Sequence, residues 1–483
     1  MKKKAIFAVI GVILCAALCL ALAGCNKKYK QDAVATDRSG IENVVSNGGL
    51  AVKAGKYLYF INGYAGQDGD NEFGNVVKGA IMRVELDEAG LPKTDTLATI
   101  VPKNVYNTNA DIGIVIVGDH IYYTTPSTDK DGSGNAKTSE MVLMRTTLDG
   151  AESEVIANFD DYTPVYRVSD GYIVYMNSEN ELHVIDLNDK KFKDSLVDEE
   201  VVAYTFADYA DNANGMQNTV FYTKAAENSY ATNNTVWAYR AGGAPVKVID
   251  GLASYDANKL AHPGGYSITI LDSYFVGGEG IRLVYTKTDS GTNTKSKGVY
   301  AYDFNADLTF SEAKEVRYTT GVTYTSLKFI DADNILAADS DSVDYLRKDA
   351  SGAWVADAVI EGSSLSILDV QVKEGTVTVY YTASNALYKI DVLTANGNGG
   401  YDLKRVSAVS LYGTTYNTTW LKLDKVLDCV YFFNSDVKDN AYYLALGKVE
   451  PHNSNSQIAL QLGKFSNADN IGMLESTDDE EEE

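Results

Sequence analysis

Ile121-Tyr122-Tyr123-Thr124, then after a polar interval Met144-Arg145-Thr146-Thr147-Leu148-Asp149-Gly150, is the stretch on which the fold turns. Tyr, Ile and Thr are strand formers that fit a pleated surface, and both runs are too short for a stable helix. The second run ends in Asp-Gly, a turn signal, since the Asp carboxylate accepts backbone N–H bonds and Gly reaches positive φ. An apolar run, Ile112-Gly113-Ile114-Val115-Ile116-Val117, precedes the pair, and Val155-Ile156-Ala157 follows it. The unit therefore reads as four short antiparallel strands.

The same unit recurs along the chain. Its aromatic strand returns as Tyr57-Leu58-Tyr59-Phe60, Tyr172-Ile173-Val174-Tyr175, Val220-Phe221-Tyr222-Thr223, Leu283-Val284-Tyr285-Thr286, Ile335-Leu336-Ala337-Ala338, Val379-Tyr380-Tyr381-Thr382 and Val430-Tyr431-Phe432-Phe433. The following strand returns with a closing acid at Asp87, Asp186, Asp303, Asp349 and Asp391, which we read as turn chemistry and not catalysis. Aligned on residues 59, 123, 175, 222, 285, 337, 381 and 432, the copies lie 44 to 64 residues apart. Four strands repeated at about 50 residues are the signature of a propeller blade. The expectation is an all-β β-propeller of eight four-stranded blades, or seven with one unit divided. The composition agrees, with 34 Tyr against 7 Pro and 3 Trp, and no long amphipathic pattern interrupts the series.

The second unit resembles the YWTD propeller repeat of lipoprotein-receptor ectodomains, and the body as a whole resembles uncharacterised propeller-like bacterial lipoproteins with YWTD- or TolB-like repeats. The resemblance implies a propeller fold and receptor-like binding and supplies no site residues. The chain departs from the YWTD pattern in lacking its Trp and in having eight units where that family has six.

At the amino end, Lys2-Lys3-Lys4 precedes an apolar stretch, Ala5 to Ala23, and Leu22-Ala23-Gly24-Cys25 matches the bacterial lipobox. The match implies cleavage before Cys25 and lipidation of its thiol, placing the body outside the cytoplasm, on the outer face of a Gram-positive membrane or at an outer membrane. An uncleaved anchor is the competing reading. The expected divisions are 1–24 signal peptide, 25–47 lipidated flexible tether, 48–465 propeller and 466–483 acidic disordered tail. The tether's span is about 25 Å as a random coil, with Lys27, Lys28 and Lys30 against anionic headgroups. Without residues 1–24 the chain has 39 basic and 66 acidic residues, a net −27, which repels nucleic acid. Only Cys429 would remain as a free thiol, so no internal disulfide is expected.

Connections between the second and third strands are long in unit 1 (62–78), unit 2 (125–140), unit 4 (224–234) and unit 5 (287–297), raising two walls on one face. Tyr64, Phe73 and Tyr230 in these loops are candidate stacking surfaces, and Asp68, Asp70, Asp129 and Asp131 candidate polar contacts. Alternating acids at Asp68, Asp70 and Glu72, and at Asp129 and Asp131, are also the weak Ca²⁺ candidates, since oxygens on every second residue can converge on a hard cation. Neither loop completes a calcium-binding pattern, and solvated hairpin tips explain both. His120, His183, His262 and His452 have no paired spacing, and no nucleophile elbow, phosphate loop or dinucleotide fingerprint occurs. The expected function is therefore non-enzymatic: binding of a protein, peptide or glycan, without a cofactor. A glycan-active hydrolase or lyase and an envelope assembly scaffold are the alternatives.

Overall fold

The computed structural model describes residues 28–461 with gaps. Outside the description lie 1–27, 62–79, 106–112, 128–131, 135–139, 207–218, 227–232, 251–265, 277–279, 290–297, 306–315, 320–323, 413–417, 425–428, 435–439, 446–459 and 462–483, some shorter turns, and the side chains of 410–461. The expected signal peptide and acidic tail fall outside it. Among the described residues there is no helix.

Two short strands, β1 (Lys28–Lys30) and β2 (Val44–Asn47), precede eight antiparallel sheets, numbered here in chain order. Sheet 1 is β3–β6 (Ala51–Ala54, Tyr57–Ile61, Ile81–Leu86, Pro92–Val101) and sheet 2 is β7–β10 (Val115–Val117, His120–Pro126, Met141–Thr147, Glu152–Phe159). Sheet 3 is β11–β14 (Tyr166–Ser169, Tyr172–Met176, Leu182–Asp186, Lys193–Asp198) and sheet 4 is β15–β18 (Ala203–Phe206, Thr219–Lys224, Thr235–Arg240, Val246–Asp250). Sheet 5 is β19–β22 (Tyr266–Val276, Gly280–Asp289, Gly298–Asn305, Val316–Arg317) and sheet 6 is β23–β26 (Ser326–Asp331, Asn334–Ala338, Ser342–Lys348, Trp354–Glu361). Sheet 7 is β27–β30 (Leu365–Lys373, Thr376–Ala383, Ala386–Ala395, Tyr401–Leu403), and β31 (Val409–Tyr412) also pairs with β29, so its outer strand is split in two. Sheet 8 is β32–β35 (Thr418–Asp424, Cys429–Asn434, Asn440–Ala445, Leu460–Gln461).

In each sheet the four strands lie in chain order, so each strand bonds to the next. Innermost strands of successive sheets touch, β15 with β19, β19 with β23, β23 with β27 and β27 with β32. The expected all-β propeller is what the chain forms, with each aromatic run as the second strand of a sheet. Connections from second to third strand, and from one sheet to the next, leave one face, called upper here. Turns from first to second and from third to fourth strand leave the lower face.

The core lies between the sheets. Strand residues alternate sides, and the second strands of sheets 1 to 7 are buried on both. Tyr123, Tyr175, Tyr222, Tyr285 and Tyr381 face the preceding sheet, while Tyr122, Val174, Phe221 and Val284 face the following one. This explains why the runs are continuous and apolar. In sheet 6 the aligned residue is the small Ala337, and Tyr318 and Tyr324 occupy the same apolar cluster. Opposite the repeated tyrosine, the third strand supplies a ring in sheets 3, 4, 5 and 7, Trp237 being the one in sheet 4, and in the other three the rings stack. Tyr175 stacks on His183 (5.2 Å between centroids), Tyr285 on Tyr300 (6.0 Å) and Tyr381 on Tyr388 (5.4 Å). Such cross-strand pairs each contribute roughly 0.2–1 kcal/mol.

The acids closing the third strands divide into two kinds. Asp149, Asp186 and Asp349 accept backbone N–H bonds from Ala151, Asn188 and Ser351, the expected turn chemistry. Asp303 instead pairs with Arg282, and Asp391 with Lys404 and Thr378.

Residues 28–47 differ from the expected flexible tether. β1 pairs antiparallel with the outer strand of sheet 2, Lys28 opposite Glu154 and Lys30 opposite Glu152, with ion pairs of 3.4 and 3.1 Å. The chain then crosses the lower face between sheets 1 and 2. Gln31 N donates to Ala151 O (3.0 Å), Val34 N to Asp149 O (2.9 Å), and Asp37 N to the Tyr57 hydroxyl (2.9 Å). The buried Arg83 guanidinium extends from β5 to donate to Ala35 O (2.8 Å) and the Thr36 hydroxyl. Arg38 pairs with Asp119 at 2.6 Å, and β2 ends the crossing as an added inner strand beside β7. Tyr29, Val34, Ile41 and Val45 pack on the apolar cluster between sheets 1 and 2. The segment is a strap, because the backbone N–H groups of Gln31, Val34 and Asp37 and the apolar side chains of Tyr29, Val34, Ile41 and Val45 find partners that only the folded propeller assembles.

Candidate functional site

Cys25, Tyr64, Asp68, Asp70, Glu72, Phe73, Asp129, Asp131 and Tyr230 all lie outside the described residues. The described strands do fix where their connections begin and end. Those between β4 and β5, β8 and β9, β16 and β17, and β20 and β21 belong to the upper face of sheets 1, 2, 4 and 5. Sheet-to-sheet connections 102–114 and 251–265 leave by that face too, from sheets 1 and 4. The corresponding second-to-third connections of sheets 3, 6 and 7 are short, 177–181, 339–341 and 384–385.

At the upper ends of the second strands the side chains turn polar while staying buried. Thr124, Thr125 and Ser127 in sheet 2, Thr223 in sheet 4 and Thr286 and Lys287 in sheet 5 are all buried. The hydroxyls of Thr124 and Thr125 have no hydrogen-bond partner among the described residues. Tyr-Thr-Lys occurs twice here. Lys224 pairs with Asp198 of the preceding sheet at 2.5 Å, and Lys287 Nζ stands 4.5 Å from the centre of the Tyr300 ring.

Register gathers a polar network on sheet 3 that spacing along the chain does not reveal. His183 Nδ1 lies 3.1 Å from Asp194 Oδ1 and Nε2 lies 3.3 Å from Glu181 Oε2, with Tyr175 stacked on the ring. The Tyr175 hydroxyl donates to the other Asp194 oxygen, and Asn177 Nδ2 donates to Glu181 at 2.6 Å. The Asn177 amide and then His183 hold the Glu181 carboxyl below its ordinary range. A doubly protonated imidazole donates to both carboxylates, whereas a neutral ring can donate to one. The usable signal was the short hairpin Asn177–Glu181, which sets residue 175 opposite 183. Among the described residues no three His, Cys, Asp or Glu side chains converge as a metal-ion site.

A lower-face cleft of 440 Å³ opens between sheets 6 and 7, with Asn334, Tyr345, Arg347, Lys348, Asn396 and Tyr401 in its wall. Most of its polar groups bond to one another. Tyr345 donates to Asn334 Oδ1, whose amide donates to Asp331, Lys348 pairs with Asp333 (2.7 Å) and Arg347 with Asp357 (2.9 Å). Asn396 accepts the N–H groups of Asn398 and Gly400. A ligand entering here would have to displace bonds already made, which lowers what it gains.

No family model and no curated protein sequence matches the chain. Solved structures similar to it include Sqt1 of Chaetomium thermophilum, with TM-score 0.39 and 10% identity over 88% of this chain and 100% of that one. The β-propeller domain of Cps50 (Swd1) from Myceliophteria thermophila gives 0.36 and 11% over 67% and 93%. YCF48 from Cyanidioschyzon merolae gives 0.33 and 10% over 73% and 97%. The propeller assignment rests on the sheets themselves.

Proposed function

We propose that the protein is a lipid-anchored, extracytoplasmic propeller that acts by binding a protein, peptide or glycan on its upper face, and not by chemistry. The observation that carries this reading is the distribution of connections. Long ones rise from sheets 1, 2, 4 and 5 on one face, and short ones from sheets 3, 6 and 7. Loops raised on a rigid scaffold are where binding residues concentrate, because they vary freely while the sheets fix their bases. The lipobox order, basic residues, apolar run, Leu22-Ala23-Gly24-Cys25, supports the anchor and the kinship with propeller-like lipoproteins. The net charge argues against a nucleic-acid partner.

Two experiments test it. Alkynyl-palmitate labelling of cells should mark the intact chain and be lost in Cys25→Ser; labelling that persists in the variant overturns the anchor. Crosslinked pull-down from intact cells should recover a partner that is lost when 62–79 and 128–139 are replaced by short turns, with the circular dichroism unchanged. Undiminished recovery overturns the upper-face assignment.

A further inference from the structure

We propose that the outer edge of sheet 2 is the surface that meets the bilayer, so that the propeller is docked on the membrane by its rim and does not hang on a tether. The inference rests on lipidation of Cys25. Lys28 is three residue steps from Cys25, and an extended chain spans at most about 3.3–3.6 Å per residue, so Lys28 lies within roughly 11 Å of the lipid-bearing residue. That reach is comparable to the headgroup layer of one leaflet, about 5–8 Å from the difference between total and hydrocarbon thickness.

β1 is not free to move away. It is hydrogen-bonded along β10, and the strap beyond it is held by Gln31, Val34, Arg83, Asp37 and Arg38. The edge also has the charge a bilayer tolerates. The body as a whole is strongly acidic, but here Glu154 and Glu152 are each matched by a lysine, Lys28 and Lys30, whose side chains stay 69% and 78% exposed. Repulsion from anionic headgroups is therefore lowered at this rim. Lysines on an exposed edge strand also block pairing with other strands, leaving a polar surface for headgroups. The propeller axis then lies along the membrane plane, the upper face opens sideways, and sheet 6, four sheets further along the chain than sheet 2, stands away from the lipid-facing edge.

The test uses the full chain in its own membrane, with Cys429→Ala as background and a fluorophore on one introduced cysteine. Asp32→Cys stands just after β1, and Ala353→Cys stands in the lower-face turn of sheet 6; both positions are exposed. Lipids carrying a headgroup-level quencher should quench the first several-fold more than the second. Inserting a twenty-residue Gly-Ser segment between Asn26 and Lys27 should abolish the difference. Equal quenching without the insertion, in a chain whose amino-terminal peptide carries lipid by mass spectrometry, overturns the docking and leaves the anchor standing. A peptide without lipid overturns both.

Discussion

Tyr222, on the second strand of sheet 4, donates its phenol proton to Asp198 at the end of the last strand of sheet 3. The other oxygen of the same carboxylate receives Lys224, so one acid of sheet 3 is held by two residues of sheet 4. Tyr222→Phe leaves one carboxylate oxygen short of a partner at a buried seam. We expect a loss of about 1–3 kcal/mol, read as a lower urea midpoint. A double-mutant cycle with Asp198→Asn should show coupling; additive losses would mean the seam is held by packing alone.

Arg83 is the pivot of the strap. It is buried, donates to Ala35 O and Thr36, and lies 4.2 Å from the centre of the Tyr57 ring. Arg83→Ala should release residues 31–43 before the sheets unfold, at a cost of about 1–3 kcal/mol, since part-buried backbone and hydroxyl acceptors lose a charged donor. Limited trypsin digestion would report it as new cutting after Lys30 and Arg38. Cutting at the wild-type rate would show that β1 and β2 suffice.

Gly40 and Gly150 form a matched pair. Their φ angles are +75° and +76°, but a Cβ on Gly40 would meet nothing within 4 Å, whereas on Gly150 it would stand 2.6 Å from both Ile100 O and Gln31 Nε2. Gly40→Ala should cost only the backbone term, roughly 1–2 kcal/mol. Gly150→Ala should cost more, and thermal melts of the two variants measure the close approach of the strap as their difference.

Tyr166 is buried, and its hydroxyl has no hydrogen-bond partner among the described residues. Tyr166→Phe removes a desolvated polar group without breaking a bond. Stability should be unchanged or rise slightly; a clear loss would reveal a partner for the hydroxyl.

The buried tyrosines set an alkaline limit. Burial raises the phenols of Tyr59, Tyr123 and Tyr166; burial and then Asp198 raise Tyr222, and burial pushes Tyr345 up to about 12. Because the folded values are raised, the stabilisation is complete below the unfolded value of about 10 and is lost as pH climbs from there through the folded values. Absorbance at the tyrosinate band should rise in two stages, exposed rings first, and the second stage should coincide with loss of the β-sheet dichroism. A single smooth titration with the fold intact would contradict the burial.

Why the sheets were legible and the strap was not follows from burial. A second strand such as Val220-Phe221-Tyr222-Thr223 is covered on both sides, so its apolar character is unbroken and repeats. Lys28-Tyr29-Lys30 and Val44-Val45-Ser46-Asn47 are short edge additions, and their partners, Glu152–Glu154 and Val115–Val117, lie far along the chain. No local period marks such a pairing. His183 was hidden for a related reason, since Asp194 and Glu181 reach it only through the register of β12–β14. Asp303 and Asp391 resemble the turn acids in position, and only the cations across the sheet, Arg282 and Lys404, set them apart.

The strap also dictates an order of assembly. A chain made amino end first presents Lys28 long before Glu154 exists, and Val44 before Val117. Sheet 1, built from residues between them, can form its own ladder early, but the seam over it stays open until sheet 2 is complete. Closing that seam is a long-range event, slow by the same loop entropy that delays any non-local contact. During that interval the apolar residues Tyr29, Val34 and Ile41 are uncovered, and the nascent protein is open to proteases and chaperones along residues 28–47.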